Sequence, residues 1–290
     1  MNKVDIKWIM LFGLALVWGS SFILMKMALK ELSPIQVGAL RMIIAGVVLF
    51  VFVGKRFLLI KKRHWLPLFI NAMVGTFIPV FLFTYAVRHI DSGIVAILNS
   101  LTPLNTLLLG LIFFGFTFVK RQVLGILLGL GATVFLIMQS AQLNPSDNYA
   151  YAWLVVLASI GYAINVNVLK KYLSDLDAVA IAVGNFIIVF IPALIVLGST
   201  DFFQLDLHRP EILKALGFVT ILAAIGTALA KIFFNRLVQL SSPVFASSVT
   251  YLIPVVALIW GVIDGENIHL TQISAGLMIL FAVYLVNREK

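Results

Sequence analysis

Two cations lie inside apolar stretches of this chain, where an uncompensated charge is costly. Arg41 falls near the centre of the stretch 35–54, and Lys231 lies toward the end of the stretch 212–235. A charge at the centre of a bilayer costs about 2.5–3.5 kcal/mol, so it needs a cavity or a partner. Arg41 therefore either binds a carboxylate or phosphate of a ligand or is a structural arginine bonded to helix ends or carbonyl groups of a neighbouring span. For Lys231 we favour snorkelling to the headgroups; the alternative is a place in a cavity.

Uncharged polar side chains are also concentrated in the apolar stretches. Buried polar groups need hydrogen-bond partners, which neighbouring helices can supply, so each single asparagine is most simply structural. As a group they indicate a polar cavity, which the deep aromatic residues Trp18, Tyr162 and Tyr251 either wall or merely pack near. The amides are Asn71, Asn99, Asn105, Asn165, Asn167, Asn185 and Asn235. The candidate cavity residues are Trp18, Ser21, Arg41, Asn71, Thr76, Asn99, Thr102, Tyr162, Asn165, Thr227, Lys231, Ser247 and Tyr251.

Prolines inside the apolar stretches predict bends. Pro103 and Pro254 lie near the centres of the stretches 92–114 and 243–263, and Pro79 and Pro192 should interrupt two others. A proline inside a helix removes a backbone hydrogen bond, and the freed groups persist at membrane depth only where protein or a wet cavity satisfies them. We therefore assign Pro103 and Pro254 as hinges beside a transport path.

The motifs of several enzyme and pump classes are missing from the sequence. It contains no Walker A loop, no HExxH and no GxSxG, and its 12 acidic residues fall in loops, termini or the ends of apolar stretches. A buried enzyme would need a nucleophile or an acid–base pair, and a proton-coupled carrier usually has an embedded carboxylate. We therefore expect no catalytic residues, no metal and no cofactor.

The composition is that of a membrane protein. Of the 290 residues, 62% are hydrophobic and 11% are charged, whereas a soluble domain is about a quarter charged. The net charge of +9 fits basic loops that orient a membrane protein better than a nucleic-acid surface. The first apolar stretch is too long for a cleaved signal peptide and is interpreted as the first span.

Ten apolar stretches have the length of a membrane-spanning helix, which is about 20 residues. Turn and capping residues such as Ser33-Pro34, Asn144-Pro145 and Ser242-Pro243 separate them. The predicted fold class is an all-α membrane protein with ten transmembrane helices. In chain order, spans 1 to 10 are predicted at 8–28, 35–54, 66–87, 92–114, 122–138, 150–169, 178–198, 212–235, 243–263 and 268–287.

The distribution of lysine and arginine over the loops predicts the orientation. With the N-terminus inside, 14 of the 21 basic residues fall on the inner side and five on the outer side, with Arg41 and Lys231 inside spans. The positive-inside rule then puts both termini in the cytoplasm, and the even number of spans agrees.

The hydrophobic pattern occurs twice, at an offset of 151 residues. Gly75-Thr76, Pro103 and Gly110 return as Gly226-Thr227, Pro254 and Gly261. Repeated units are typical of membrane transporters, and two units of five spans each must enter the membrane from opposite sides. We therefore predict two inverted five-helix repeats, at 1–142 and 148–290.

Short motifs in both halves are those of a known family. The first half carries Trp18-Gly19-Ser20-Ser21-Phe22 and Leu40-Arg41, and the second carries Ser242-Pro243 and Gly265-Glu266. In order and spacing, over essentially the whole chain, they resemble the EamA-type members of the drug/metabolite transporter superfamily. In one departure, Gly115-Phe116 stands where the second half has Gly265-Glu266, so a loop glutamate is missing there.

This resemblance implies a carrier of small organic metabolites in the cytoplasmic (inner) membrane, often an exporter of amino acids. It also implies a central cavity lined mainly by spans 1, 3, 4, 6, 8 and 9. We interpret the chain as an exporter or facilitator that works by alternating access. Its expected partners are a small-molecule substrate and the lipid bilayer, and we expect it to bind no nucleic acid. A flippase for a lipid-linked substrate and a non-transporting sensor or scaffold remain alternatives.

Gly125 and Gly129 form a small-residue face that joins spans within a monomer or forms a homodimer.

The orientation can be tested with reporter fusions. Fusions within 55–63 and after Lys290 should report the cytoplasm, and fusions within 143–148 should report the exterior, because the basic loops stay inside. Paired alkaline phosphatase and fluorescent-protein fusions at the same sites measure this. A cytoplasmic signal at 143–148 would contradict the inversion of the second half.

Overall fold

A computed structural model describes residues 3–115, 148–265 and 269–287, with scattered positions between 121 and 138. Every regular element in these ranges is a helix. Eight of the described helices are long and apolar enough to cross a membrane, which confirms predicted spans 1–4 and 6–9. They are Ile6–Ala28, Pro34–Leu59, Lys62–His89, Ser92–Phe114, Tyr149–Tyr172, Ala178–Gly198, Pro210–Leu240 and Pro243–Ile263.

The other two spans stay predictions. Seven of the 17 positions of the predicted fifth span, 122–138, lie outside the described residues, as do Glu266 of the Gly-Glu motif and the inter-repeat segment 143–147. The predicted tenth span contains the helix Leu270–Asn287, within which the apolar segment Ile273–Ala282 is described without a gap.

Four of the eight spans are continuous α-helices and four are interrupted. The continuous helices of spans 1, 2, 6 and 7 are Lys3–Ala28, Pro34–Val53, Ala152–Tyr172 and Ala178–Gly198. Short 3₁₀ helices lie beside them at Gly54–Leu59, Lys62–His64, Tyr149–Tyr151 and Asp201–Gln204. Pro192 was expected to interrupt span 7, and this expectation is wrong, because the helix continues through it.

Capping residues start the helices where the sequence places them. The Ser33 hydroxyl accepts from the Gln36 amide, and the Gln36 side chain accepts from the Ser33 amide, which completes a capping box before Pro34. Ser242 caps span 9 in the same way through the Phe245 amide. These bonds satisfy amide groups that a helix N-terminus leaves without partners.

Spans 3 and 8 each contain a π-helical segment. In span 3 it is Met73–Phe77, between Trp65–Ala72 and Ile78–His89. In span 8 it is Ala224–Leu229, between Pro210–Ala223 and Ala230–Leu240. The two segments begin 151 residues apart, at the offset of the sequence repeat. They contain the two Gly-Thr pairs, and π-helical turns of this kind are frequent at functional sites.

Spans 4 and 9 are interrupted by turns, which lie before the prolines rather than at them. Span 4 turns at Ser100–Leu101, between Ser92–Asn99 and Thr102–Phe114, so Pro103 is in a first helical turn, where proline is tolerated. Span 9 turns at Ser248, between Pro243–Ser247 and Val249–Ile263.

The carbonyl groups that the two prolines leave without an amide partner are both satisfied. The carbonyl four residues before Pro254 is that of Thr250, and it accepts from the Ser100 hydroxyl at 3.1 Å. The carbonyl four residues before Pro103 is that of Asn99, and it accepts from the Thr102 hydroxyl at 2.8 Å. The turn in span 4 is therefore bonded to the turn in span 9.

The packing of the spans is reciprocal between the halves of the chain. Span 1 packs against spans 8 and 9, span 6 packs against spans 3 and 4, and span 2 packs against span 7. Large hydrophobic side chains on the outer surface, such as those of Phe52 and Ile195, are 79% and 69% exposed. Exposed apolar surface on this scale fits contact with lipid.

Glycines permit the closest approach of the halves. A Cβ atom on Gly161 of span 6 would lie 2.5 Å from the backbone oxygen of Val74, in the π-helical segment of span 3. One on Gly129 would lie 2.7 Å from a Leu104 methyl group and 3.5 Å from the Ala282 Cβ. Gly129 therefore faces other spans of the same chain.

An ion cluster joins two loops at one end of the helices. Arg63 pairs with Asp175, and His64 Nε2 lies 3.2 Å from the same carboxylate oxygen. The Lys61 amide donates to His64 Nδ1, so the ring proton belongs on Nε2 and points at Asp175. Slight desolvation raises the pKa of Asp175, but the hydrogen bond from His64 and the charge of Arg63 outweigh it, so the pKa lies below its usual value.

Candidate functional site

A cavity lies between the two halves, where spans 1, 2, 3, 4, 6, 8 and 9 meet. Its volume is about 910 Å³, and this figure includes the open space at its mouth. The lining residues are Trp18, Ser21, Phe22, Met25, Arg41, Gly75, Thr76, Val80, Phe83, Asn99, Thr102, Tyr162, Asn165, Val166, Gly226, Thr227, Lys231, Phe234, Ser247, Val249, Thr250 and Ile253.

All but two of the candidate cavity residues line this space. The exceptions are Asn71, which is fully buried and bonded to the lining Asn165, and Tyr251, which packs against the apolar core. The sequence interpretation missed most of the apolar lining. Helical spacing carried a signal for part of it, because Phe22 and Met25 follow Trp18 by four and seven residues and so share its face.

The glycines of both π-helical segments are bonded to the opposite half of the chain. The Trp18 indole of span 1 donates to the Gly226 carbonyl at 3.0 Å. The Asn165 amide of span 6 donates to the Gly75 carbonyl at 3.2 Å. A Cβ on Gly75 would lie 2.0 Å from the Asn165 amide nitrogen, and one on Gly226 would lie 2.7 Å from the Ser21 hydroxyl. Only glycine admits these contacts.

A second repeat offset relates the side chains on spans 1 and 6. Trp18 and Ser21 precede Tyr162 and Asn165 by 144 residues, and all four line the cavity. The sequence interpretation used only the offset of 151, which applies to spans 3, 4, 8 and 9. The connection from span 7 to span 8 is longer than the one from span 2 to span 3, which explains the difference of seven residues, and a search with gaps would have found the pairing.

Arg41 reaches from span 2 to the π-helical segment of span 8. Its Nε donates to the Thr227 hydroxyl oxygen at 2.6 Å, and that hydroxyl donates to the Leu222 carbonyl five residues earlier. The bond holds the guanidinium group in the cavity through a side chain of the opposite half. Among the described residues Arg41 donates to this side chain and to no carbonyl group, and its role as a ligand-binding or a structural residue stays a prediction.

Lys231 lines the cavity, and the snorkelling interpretation is wrong. The residue is only 8% exposed, and its Nζ donates to the Thr76 hydroxyl at 3.1 Å, across to span 3. The physical reason is helical spacing. Lys231 follows Thr227 by four residues, so both side chains lie on one face of span 8. That face points into the cavity rather than toward the lipid headgroups.

Aromatic rings form two walls of the cavity. Trp18 and Phe234 lie with their ring centroids 5.1 Å apart, and Phe83 and Tyr162 stack at 5.7 Å with an angle of 19° between the ring planes. Phe22 meets Phe83 edge to face at 6.1 Å. Such pairs fix the ring positions and leave flat apolar surfaces toward the ligand space.

The hydroxyl groups of the lining mostly donate to their own helices. Ser21 donates to Val17, Ser247 donates to Val244, and Thr250 donates to Ser247. The two cations, in contrast, have no partner of opposite charge among the described residues. No described lining residue is acidic, and no ion pair in the described part of the chain includes Arg41 or Lys231. Within the same residues, no cluster of side chains suits a metal ion.

Three buried amides form a chain of hydrogen bonds behind the cavity wall. Asn185 of span 7 donates to the Asn71 oxygen of span 3, and Asn71 donates to the Asn165 oxygen of span 6, both at 2.7 Å. Asn165 then donates to the Gly75 carbonyl. The Asn185 oxygen has no partner among the described residues. Asn71 therefore positions a lining residue.

The remaining asparagines of the spans make structural bonds between or within helices. Asn105 donates to the Ser159 hydroxyl, Asn167 donates to the Thr106 carbonyl, and Asn235 donates to the Ala178 carbonyl. These are interhelical bonds of the kind that join membrane helices. Asn99 differs, because it lines the cavity and bonds only to Thr102 of its own span.

Comparison with known proteins identifies this architecture. The sequence model of the EamA-like transporter family matches residues 6–138 and again residues 150–288. The chain is 28% identical to the uncharacterized inner membrane transporter YedA of Escherichia coli K12, over 97% of this chain and 90% of that protein. It is 24% identical to an uncharacterized transporter of Archaeoglobus fulgidus, over 98% of this chain and 99% of that protein.

A solved structure has the same fold. One crystal structure superposes with a TM-score of 0.67 at 16% sequence identity, over 99% of this chain and 97% of that one. Protein PecM of Dickeya dadantii is a further relative in sequence, at 24% identity over 94% of this chain and 92% of its own. These likenesses extend over nearly the full length of the chain.

The amide chain behind the cavity gives a stability prediction. Asn71→Leu should lower the melting temperature of the detergent-purified protein, because it leaves the Asn165 oxygen and the Asn185 nitrogen buried without their partners. Each unsatisfied buried group costs about 1–3 kcal/mol. Asn185→Leu is the matched control, since it removes one hydrogen bond together with an oxygen that lacks a partner. Equal melting temperatures for the two variants would contradict the chain of bonds.

Proposed function

Because the chain belongs to the EamA-like transporter family, we propose that it moves small organic metabolites across the inner membrane by alternating access through the central cavity. The observation that supports the proposal is which parts of the chain supply the residues that line the cavity. Both halves contribute it, through spans 1, 2, 3 and 4 of one half and spans 6, 8 and 9 of the other. A site at the interface of two repeats can open to either side when one repeat rocks against the other.

The two halves act in this proposal as inverted five-helix repeats, 1–142 and 148–290, with both termini in the cytoplasm. Several features support the relation. The π-helical segments of spans 3 and 8 start 151 residues apart, and the family model matches once in each half. The bonds from Trp18 to Gly226 and from Asn165 to Gly75 are also reciprocal.

The transport mode we propose is facilitated diffusion, exchange or export without an embedded proton carrier. Its support is the absence of acidic side chains from the described lining, since proton-coupled carriers usually place a carboxylate on the path. Amino acids are the substrates that the resemblance to EamA-type exporters suggests. The walls of Trp18, Phe234, Phe83 and Tyr162 suit an organic solute better than a bare ion.

The experiment that tests the function is flux into proteoliposomes. Purified protein should accelerate the uptake of at least one solute from a panel of amino acids, organic acids, nucleosides and sugar phosphates, relative to protein-free liposomes. Counterflow in preloaded liposomes separates exchange from facilitated diffusion. A protein that binds solutes but never moves them is a sensor or scaffold. One that moves only lipid-linked substrates is a flippase.

The turns of spans 4 and 9 give a prediction about the transport cycle. Pro103→Ala and Pro254→Ala restore backbone donors beside the turns and raise helix propensity, so the paired turns should stiffen. Transport should slow while solute binding persists, and under inverted symmetry the two variants should bias access to opposite sides. The chain has no native cysteine, so cysteines placed along the cavity and labelled from each side report the bias.

Pro192→Ala is the control for the general effect of removing a proline. Pro192 lies in a continuous helix, on a span with no residue in the cavity lining. Its replacement should leave the pattern of labelling unchanged. Wild-type transport rates and unchanged labelling in both the Pro103 and Pro254 variants would show that these prolines only pack.

A further inference from the structure

We propose that the solute of this cavity is an organic oxyanion with an apolar body: a carboxylate or a phosphate monoester without an ammonium group. The proposal rests on the proposed function and narrows it, because it excludes zwitterionic amino acids as preferred solutes. Three observations support it: the positive charges of the lining, the hydrogen-bond donors of Arg41 and Lys231 that have no acceptor among the described residues, and the aromatic side chains that line the cavity.

The charge of the described lining is positive throughout. Arg41 and Lys231 are its charged residues, and no aspartate or glutamate accompanies them. The ion pairs in the described ranges use other cations, such as Lys26 with Asp264 and Arg209 with Glu31. Two cations held in a site between membrane helices lack their full hydration. An anion that enters the site offsets that cost.

The side chain of Arg41 is oriented for a bidentate ligand. Its Nε is used by Thr227, whose own proton goes to the Leu222 carbonyl, so this hydroxyl oxygen acts as an acceptor only. No described residue accepts from the two terminal nitrogens of the guanidinium group. These nitrogens form the planar fork that binds carboxylate and phosphate oxygens in pairs. The bond through Nε fixes the plane of that fork before a solute arrives.

Lys231 supplies the second charge from the opposite half of the chain. Its Nζ makes one hydrogen bond, to Thr76, and an ammonium group has three donors. The remaining donors have no acceptor among the described residues. Both cations are therefore bonded to the threonines of the two Gly-Thr pairs, and both cross from one half to the other.

The apolar part of the solute follows from the walls. The rings of Trp18 and Phe234 pack together, as do those of Phe83 and Tyr162, and all four residues contribute aromatic surface to the cavity. Inorganic phosphate or sulfate would leave these surfaces in contact with water. A solute with an aromatic or branched apolar body covers them and gains about 25 cal/mol for each Å² of apolar surface removed from water.

An ammonium group has no partner of opposite charge in this lining. The hydroxyl groups of Ser21, Ser247 and Thr250 already donate to their own helices, so they offer lone pairs but no negative charge. An α-amino acid would carry its positive charge toward Arg41 and Lys231 and lose part of what its carboxylate gains. The lining therefore favours the anion over the zwitterion, and the zwitterion over the amine.

The test uses probes that share a phenyl body and differ in charge. They are 3-phenylpropanoate, phenyl phosphate, phenylalanine and phenethylamine, with binding to detergent-purified protein measured by calorimetry. Both anions should bind at least about 10-fold more tightly than phenylalanine, because phenylalanine also carries an ammonium group, which has no acidic partner in the described lining and reduces what its carboxylate gains beside two cations. Phenethylamine should bind most weakly. The ratio of the two anions shows whether a carboxylate or a phosphate fits better.

Substitutions connect the preference to the two cations. Arg41→Gln and Lys231→Gln should each weaken binding of both anions about 10- to 100-fold and leave phenethylamine unchanged or improved. Arg41→Lys should be intermediate, because it keeps the charge and loses the fork. Lys214→Gln is the control for net charge, since Lys214 is exposed and outside the lining. Melting temperatures identify variants that fail to fold, and Arg41→Lys then carries the comparison.

The outcomes separate this proposal from the proposed function. Anion binding that depends on Arg41, without flux of the same anion into liposomes, would support the oxyanion site and contradict transport. Flux that favours phenylalanine or phenethylamine over the anions would support transport and overturn the oxyanion site. Equal binding of all four probes, or no binding of either anion, would also overturn it.

Discussion

The backbone of a membrane-spanning helix must satisfy its hydrogen-bonding groups within the protein. In this protein, the shape of the cavity depends on the side chains that satisfy the backbone where a span is interrupted. Four of its eight described spans are interrupted, and all four line the cavity. Carbonyl groups at these interruptions accept hydrogen bonds from side chains of other spans. The Trp18 indole donates to the Gly226 carbonyl, the Asn165 amide donates to the Gly75 carbonyl, and the Ser100 hydroxyl donates to the Thr250 carbonyl. Irregular backbone is tolerated at this depth only with such partners.

The same bonds join the two halves of the chain. Trp18 and Ser100 belong to the first half and bond to carbonyl groups of the second, whereas Asn165 does the reverse. Side chains that satisfy the backbone therefore also line the interface between the halves. A relative movement of the halves would have to break or exchange these bonds, so they are the natural control points of the proposed transport cycle.

Several features of the scaffold occur in both halves of the chain, but the charges of the cavity do not. At the offset of 151 residues the position equivalent to Lys231 is Val80, and at the offset of 144 the position equivalent to Arg41 is Asn185. The glycines and threonines that shape the cavity are repeated, and the cations bonded to those threonines are unique. The repeated glycines and threonines thus shape the cavity, whereas the two unrepeated cations supply the charges that a solute would meet.

The sequence by itself determined the class of the protein, eight of its spans, the capping at Ser33 and Ser242, and the repeat. Hydrophobic length and local hydrogen bonding decide these features, and both are readable along a single chain. It also selected most of the polar lining, because polar groups inside apolar helices are rare and need partners. Only the tertiary structure decided that Lys231 faces Thr76 rather than the headgroups, that Asn71 supports the wall instead of lining it, and that the turns precede the prolines. Local spacing shows which residues share a face of a helix, such as Thr227 and Lys231, but not which way that face points or which carbonyl group finds a donor in another span. The packing of the helices against each other decides both.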